Sequence, residues 1–382
     1  MTTIARPVLA RREGPVFDIV LAVVTILVAL VGVVMVYTAT RGTLLANGDD
    51  PKSYLKKQAL YVVLGVIVMV VVAAIDYRRL APLAMLLYVL IVCSLLGVYV
   101  VGNHVQGSQR WYNLGPIQLQ PSEFAVLALI LAVAAYCDSK GDEGLAWVDV
   151  FRLLVLAAIP ILLVMGQPDL GTAIIMLMVM LVMLAVAGLP IRILVMLLVA
   201  LVAATFLAIE TGVLHHYQIA RLTSFLNPNS TSTNSYVQSA IYNLQEAKNA
   251  IGSGGLLGSG IGHGAQTNLG YVPEQQTDFI FTAVGEQLGF VGAVGLLASL
   301  GLIAWRVLHA AGKSRDVFGR LLCTGLFTFI AFSTFQNAGM TMGIMPITGI
   351  PLPLVSYGGT AVLCFFTAVG LALSVGVRRR RR

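Results

Sequence analysis

The chain has 382 residues, of which 58% are apolar and only 11% are charged, so too little polar surface exists to cover a fold surrounded by water. This composition excludes an ordinary soluble domain and favours an integral membrane protein. The net charge of +7 does not point to nucleic acid, because its largest cluster, Arg378–Arg382, directly follows the last apolar segment, where cytoplasmic anchors beside anionic lipid are found.

Ten apolar segments predict transmembrane helices, since about 20 residues of helix cross a hydrocarbon layer of about 30 Å. We therefore predict an all-α polytopic membrane protein with one transmembrane domain over residues 17–377, flanked by cytoplasmic segments 1–16 and 378–382. The predicted helices are 17–38, 58–75, 81–101, 122–137, 153–166, 170–188, 191–210, 277–305, 318–339 and 353–377.

The basic residues predict that both termini are cytoplasmic. With that orientation, 17 of the 24 Lys and Arg residues lie inside, as the positive-inside rule requires, and seven lie outside. The seven outer residues are Arg41, Lys52, Lys56, Lys57, Arg110, Arg221 and Lys248.

The longest polar segment, residues 211–276, is then a large extracellular loop between helices 7 and 8, and loops of this length are usually functional. It is rich in glycine over residues 252–264. A nucleotide-binding turn is not favoured, because no strand precedes these glycines. Two interpretations remain open: the glycines let the backbone approach a ligand or fold back along the membrane surface, or they serve tight re-entrant packing.

Asp278 lies where this loop enters the eighth helix, directly before an apolar run. Asp and Thr are common at helix N-termini, where they accept backbone N–H bonds, so a helix cap is one interpretation. The other is a general base at the membrane surface that takes a proton from a substrate hydroxyl. The two roles are compatible.

Three further acidic residues lie at or within apolar segments. Glu286 follows Asp278 by eight residues, about 12 Å deeper along a helix, so it should face the bundle interior, be paired or be protonated. Glu123 follows Pro121 and is also typical of an ordinary helix start. Asp169, in a short turn between helices, is interpreted as a cap.

Outer-face cations are candidates for holding an anionic head group. Arg110 lies beside Trp111, and Arg221 precedes an aromatic residue; guanidinium binds phosphate oxygens, but both positions also fit simple anchoring at the membrane interface. The four cysteines lie in apolar segments and the five histidines have no ligand spacing, so neither disulfides nor a metal site is predicted.

Several uncommon sequence strings resemble the SEDS family (shape, elongation, division and sporulation) of polytopic glycosyltransferases, and the resemblance covers nearly the whole chain. Two of them, AIGSGG and TGIPLP, are more similar to the elongation members than to the division members. The strings are RWYNLGPIQLQPSE (Arg110–Glu123), QPDLGTA (Gln167–Ala173), FLNP (Phe225–Pro228), AIGSGGLLGSG (Ala250–Gly260), PEQQTDFIF (Pro273–Phe281), GEQLGFVG (Gly285–Gly292) and PITGIPLPLVSYGG (Pro346–Gly359).

The resemblance implies an enzyme of the bacterial cytoplasmic membrane that polymerises lipid II, the disaccharide pentapeptide carried on undecaprenyl pyrophosphate. It assigns Asp278 as the catalytic residue. It further implies functional roles for Glu123 and Glu286 and a substrate groove near Arg110, Trp111 and Arg221. The family commonly has lysine one turn after the first glutamate, where this chain has Val126, so Glu123 should find another partner, such as an arginine, or stay protonated.

The resemblance also implies a class B penicillin-binding protein as partner, because this chain lacks the SxxK and KTG motifs of a transpeptidase. No cofactor is required by the sequence, although a divalent cation recruited by the pyrophosphate would fit. Two alternatives remain: a lipid II flippase, and a scaffold that only activates the partner enzyme. A flippase is disfavoured because matching discontinuous helices in two repeated halves are not evident.

Overall fold

The computed structural model describes residues 17–105, 108–114, 117–141, 145–210, 216–227 and 234–378. The predicted terminal segments, 1–16 and all but the first residue of 378–382, lie outside these ranges. The helices are α1 (Ile19–Asn47), α2 (Ser53–Ala74), α3 (Ala84–Val101), α4 (Pro121–Ser139), α5 (Trp147–Gly166), α6 (Leu170–Val186), α7 (Ile191–Glu210), α8 (His216–Leu226), α9 (Ser235–Ser253), α10 (Ala265–Leu269), α11 (Ile280–Gly312), α12 (Val317–Met342) and α13 (Gly359–Val377), with a short 3-10 helix at Tyr77–Leu80.

The prediction of an all-α polytopic membrane protein is confirmed. Within the described residues, eight helices are long and apolar enough to cross a membrane, and α6 and the first part of α7 (Ile191–Ala203) are shorter apolar helices. Together they are α1 to α7 and α11 to α13, and each corresponds to one of the ten predicted segments.

The predicted start of the last helix at residue 353 is wrong, because α13 begins at Gly359. Pro351 and Pro353 have no backbone N–H to give to a helix, and each also disfavours helical geometry in the residue before it. Residues 343–358 therefore form a non-helical connector between α12 and α13, and this connector becomes part of the site described below.

Two regions between the helices have structure that hydropathy does not predict. A small antiparallel sheet, in the order β1 (Asn103–Val105), β2 (Ser108–Leu114) and β3 (Ile117–Leu119), joins α3 to α4. The predicted large loop holds α8, α9 and α10. Helix α9 is amphipathic and packs on α11 and α12 through its apolar face, so the loop is folded back onto the bundle.

The core of the bundle is formed by α4, α12 and α13, which bury most of their surfaces. Small residues let these helices approach closely, as is common between helices in lipid. A Cβ built at Gly325 in α12 would lie 2.7 Å from Ile130 in α4 and 2.9 Å from Met183 in α6. Phe329 stacks on Phe365 with ring centroids 4.6 Å apart, which joins α12 to α13.

Ion pairs show which helix ends share a face of the bundle. Asp18, which caps the start of α1, pairs with Arg306 near the end of α11 at 2.7 Å. Arg378, at the end of α13, forms an ion pair at 3.5 Å with Asp76, in the turn after α2. The first and last described helices therefore have their terminal ends on one face, and the N-terminal end of α11 lies on the opposite face.

Candidate functional site

Asp278 lies in a tight turn that ends where α11 begins, but it does not cap the helix. Phe279 occupies the N-cap position, and no side chain makes a cap hydrogen bond there. Instead, the carbonyl of Glu274, at a φ of 49°, accepts the backbone N–H groups of Thr277, Asp278 and Phe279. The helix-cap interpretation of Asp278 is therefore wrong, because its carboxylate makes no cap hydrogen bond to the first turn of α11.

The carboxylate of Asp278 and the guanidinium of Arg221 meet at one glycine of the connector. A Cβ built on Gly349 would lie 3.1 Å from Oδ2 of Asp278 and 3.6 Å from Nη1 of Arg221. Gly349 has a φ of +76°, which glycine adopts without strain. The start of α11, helix α8 and the connector thus converge, and the predicted base lies beside a predicted cation.

The surroundings of Asp278 raise the pKa of its carboxyl toward neutral pH. Burial raises the pKa of Asp278 to about 6, and the positive charge of Arg221 opposes this effect. The negative charges of Glu274 and Asp169 raise the pKa further, while the more remote Arg110 lowers it. A carboxylate with this pKa is largely ionised at neutral pH and still basic enough to take a proton from a hydroxyl in a transition state.

Arg110 holds the small sheet against the helical bundle. From strand β2 its Nε donates to the carbonyl of Gln167 at 2.7 Å, and its Nη2 donates to the carbonyl of Pro168. It thereby fastens the sheet to the turn between α5 and α6 and acts on Asp278 through its charge. Trp111, the next residue of the strand, is half-buried and pairs with Asn103 of β1.

Asp169 joins the N-terminal ends of two helices, α4 and α6. It caps α6 by accepting the N–H of Thr172 at 3.2 Å, so its predicted role as a cap is confirmed. Its second oxygen accepts from Ser122 Oγ and Gln120 Nε2, both at 3.1 Å, at the start of α4. Sequence strings far apart in the chain are therefore held together near the Asp278 turn.

Glu123 lies in the first turn of α4, as predicted, and is 8% exposed. Among the described residues, no basic group lies within 4 Å of its carboxylate, so the predicted arginine partner is not found there. Val126, which stands where the family commonly has lysine, is fully buried in the apolar core. The structure brings Glu123 near a second acidic side chain, that of Asp169.

Glu286 is paired with the backbone of the large loop. The side chain is 1% exposed, and its oxygens accept from Gln266 N at 2.8 Å, Thr267 N at 2.9 Å and Thr267 Oγ1 at 2.6 Å. Of the predicted alternatives, namely an interior position, pairing or protonation, the structure shows a buried side chain that is paired. These contacts hold α10 against α11.

Helix α11 is broken three residues after Glu286. Gly289 has φ 66° and ψ −167°, so the helical hydrogen bonds around it are lost. The glycine-rich segment restores them in four backbone bonds: Ser259 N to Glu286 O at 2.9 Å, Gly260 N to Gln287 O at 3.1 Å, Phe290 N to Gly255 O at 2.9 Å and Val291 N to Leu256 O at 3.1 Å.

These bonds show that the glycine-rich segment packs tightly against α11. Irregular backbone at membrane depth is tolerated when protein satisfies its polar groups. A Cβ at Gly258 would lie 2.2 Å from the carbonyl of Gln287, so only glycine allows this approach. Glu286 and the glycine-rich segment therefore shape α11, and Asp278 lies at the beginning of that same helix.

The sequence analysis missed the residues that surround Asp278 from the far end of the chain. Asn337 of α12 and Gly349 and Ser356 of the connector all border the Asp278 turn. For Gly349 and Ser356 the available signal is the proline-rich PITGIPLPLVSYGG string, whose second half, from residue 353, is predicted as helix. In the described part of the chain, no group of three His, Cys, Asp or Glu side chains is arranged to bind a metal ion.

Comparison with known proteins places this geometry in a family. Residues 18–381 match the FtsW/RodA/SpoVE family model, described as cell cycle protein. The chain is 37% identical over 341 residues to the peptidoglycan glycosyltransferase MrdB of Escherichia coli K12, covering 88% of each chain. It is 34% identical over 369 residues to the stage V sporulation protein E of Bacillus subtilis, covering 94% of this chain and 96% of the relative.

Solved structures show the same fold. A chain from a study entitled "Structural coordination of polymerization and crosslinking by a peptidoglycan synthase complex" is similar with a TM-score of 0.79 and 30% identity, covering 96% of this chain and 99% of that one. The rod shape determining protein RodA of Thermus thermophilus is similar with a TM-score of 0.69 and 29% identity, covering 95% and 97%. The chain belongs to the FtsW/RodA/SpoVE family, the SEDS proteins that its motifs resemble.

Proposed function

We propose that this protein is a peptidoglycan glycosyltransferase that polymerises lipid II during cell elongation, with Asp278 as the general base. The observation that carries this proposal is the convergence of Asp278 and Arg221 on Gly349, at the end of α11 that lies opposite the helix ends of the two termini. A half-buried carboxylate beside a guanidinium is suited to deprotonating a sugar hydroxyl while a pyrophosphate departs.

The chemistry needs one carboxylate, because pyrophosphate is already a competent leaving group and no general acid is required. Asp278 takes the proton of the 4-hydroxyl of the acceptor GlcNAc. The oxygen forms a bond to the anomeric carbon of the donor MurNAc, and the bond from that carbon to the lipid pyrophosphate breaks with its electron pair on the pyrophosphate. Attack from the face opposite the leaving group inverts the anomeric centre.

The departing pyrophosphate is stabilised by positive charge. Arg221 is the cation placed beside Asp278, and the charge of Arg110 also reaches the site. Such charges act most strongly where they are already oriented before reaction. A divalent cation would enter with the pyrophosphate and supply further charge neutralisation.

The position of the chain in the cell follows from the same proposal. Lipid II is polymerised on the outer side of the bacterial cytoplasmic membrane, so the Asp278 end of α11 faces outward and both termini are cytoplasmic. The bias of Lys and Arg toward the other face supports this orientation. A class B penicillin-binding protein supplies the crosslinking activity, which is supported by the structural neighbour studied as a synthase complex.

Polymerisation of purified lipid II tests the proposal directly. Wild-type protein should make glycan strands, with and without the partner, and Asp278→Asn should make none while remaining folded. Strands made by the chain alone would also exclude a scaffold. Polymer from the Asp278→Asn variant at near wild-type rate would overturn the assignment, and movement of labelled lipid II across vesicles without polymer would favour the flippase.

A further inference from the structure

The backbone of the Asp278 turn is held by hydrogen bonds from another part of the chain. Three consecutive carbonyls before α11 each accept one, and every donor belongs to α12 or to the connector. The bonds are Tyr357 N to Gln276 O at 2.8 Å, Ser356 Oγ to Thr277 O at 2.6 Å and Asn337 Nδ2 to Asp278 O at 2.8 Å.

Asn337 has the most direct connection to the carboxylate among these donors. Its side chain is completely buried, and its Nδ2 donates both to Asp278 O and to Ile350 O, at 2.8 Å and 2.7 Å. Its Oδ1 has no hydrogen-bond partner among the described residues, which is unusual for a buried amide. Turning the amide over would set oxygen against two carbonyls, so the orientation is fixed by its two acceptors.

Both acceptors of this amide border the reacting group. One is the carbonyl of Asp278 itself, and the other belongs to Ile350, the neighbour of the Gly349 that contacts the carboxylate. A single side chain therefore fixes the backbone on two sides of the Asp278 carboxylate. Removing the amide would free the Asp278 and Ile350 carbonyls from each other, while the bonds from Tyr357 and Ser356 would still hold the preceding part of the turn.

We infer that Asn337 is a positioning residue for the transfer reaction, which sets the place of the Asp278 carboxylate by joining its backbone to the connector. This inference rests on the proposed function. Catalysis depends on orientation to a fraction of an ångström, and a displacement of about 1 Å costs on the order of 100-fold in rate. Because Asn337 is buried, its loss should lower kcat and leave the KM for lipid II nearly unchanged.

The neighbouring Gln336 offers a matched control. It is 2% exposed, and its Nε2 donates to the carbonyl of Pro346 in the same connector at 2.9 Å. It therefore holds α12 to the connector by the same kind of bond but makes none to Asp278. If loosening the connector were enough to reduce activity, substitutions of both residues should reduce it equally.

The experiment compares Asn337→Leu with Gln336→Met, both close to the original shapes and both without the amide. Lipid II polymerisation should show kcat reduced by about 10-fold or more in Asn337→Leu with KM within about twofold, and kcat within about threefold of wild type in Gln336→Met. Melting temperatures should fall alike in the two variants.

A wild-type kcat in Asn337→Leu, or an equal loss in Gln336→Met, would overturn the inference. Should Asn337→Leu not fold, Asn337→Asp replaces it; this side chain keeps the shape and, when neutral, donates to one carbonyl. Reduced kcat with labelled lipid II still bound supports positioning, whereas wild-type kcat refutes it. Wild type and Asp278→Asn are measured alongside, because absence of polymer from wild type would instead reject the proposed function.

Discussion

A methyl group added at Gly349 should disturb the reaction with little effect on the rest of the fold. A Cβ at Gly349 would contact both Asp278 and Arg221, and the φ of +76° is in the left-handed region. Gly48, which ends α1, has a φ of +79° and nothing within 4 Å of a built Cβ. Gly349→Ala and Gly48→Ala therefore share the backbone strain and differ in the contact.

The two contributions can be separated in magnitude. Left-handed backbone costs a non-glycine residue about 1 to 2 kcal/mol, and this applies to both variants. At 3.1 Å, the new methyl of Gly349→Ala forces the Asp278 carboxylate to shift by a few tenths of an ångström. Scaled from the effect of a displacement of about 1 Å, such a shift should reduce kcat by about tenfold.

The assay is polymerisation of purified lipid II, with the melting temperature of each variant measured in the same detergent. We expect equal losses of melting temperature and a loss of kcat confined to Gly349→Ala. If Gly349→Ala kept wild-type kcat, the carboxylate would not be the group that the glycine positions. If Gly48→Ala lost as much activity, backbone strain alone would explain the effect.

Three other changes test the electrostatics of the site. Burial raises the pKa of Asp278 from 3.8 to about 6, so the folded state loses stability as pH rises through 6. The free energy of unfolding of Asp278→Asn should therefore exceed that of wild type by up to about 3 kcal/mol at pH 8, with a higher melting temperature, and should equal it at pH 3. An equal melting temperature at pH 8 would contradict this prediction. Arg221→Gln removes the charge that lowers the pKa of Asp278, so the acid limb of the kcat/KM profile should move to higher pH. Arg221→Lys keeps a positive charge and should move this limb less. If the limb did not move in Arg221→Gln, the guanidinium would not act on Asp278. Glu286→Ala leaves the N–H groups of Gln266 and Thr267 unpaired and should lower the free energy of unfolding by about 3 kcal/mol in denaturation. Glu286→Gln should lose less stability. Unchanged stability in Glu286→Ala would mean that α10 is held by other contacts.

Hydrophobic length was enough to find the ten apolar helices, because each backbone that crosses lipid must satisfy its own hydrogen bonds. The ends were harder to place. Helix α1 continues to Asn47, well beyond the predicted end at residue 38, because polar residues at a membrane surface do not end a helix that packs on protein. Helix α9 could have been found, since its buried residues Val237, Ala240, Leu244 and Ala247 follow helical spacing.

The candidate site was predictable as a list of residues but not as an arrangement. Composition alone could not separate a cap from a base at Asp278, and only the family motif favoured the base. The decisive feature is that Gly349 and Arg221 come to the same carboxylate from segments on either side of it in sequence. Such convergence depends on tertiary packing, which no local pattern encodes, and the same is true of the glycine segment that pairs with α11.

The break at Gly289 divides α11 into a short first part, which follows Asp278, and a longer second part. An unbroken α11 of 33 residues would be about 50 Å long, far more than a hydrocarbon layer of about 30 Å requires. The part after the break is by itself long enough to cross. The preceding turns are thus released from spanning and can lie beside the headgroups, so a growing sugar chain meets the base at the level where its lipid carrier is anchored.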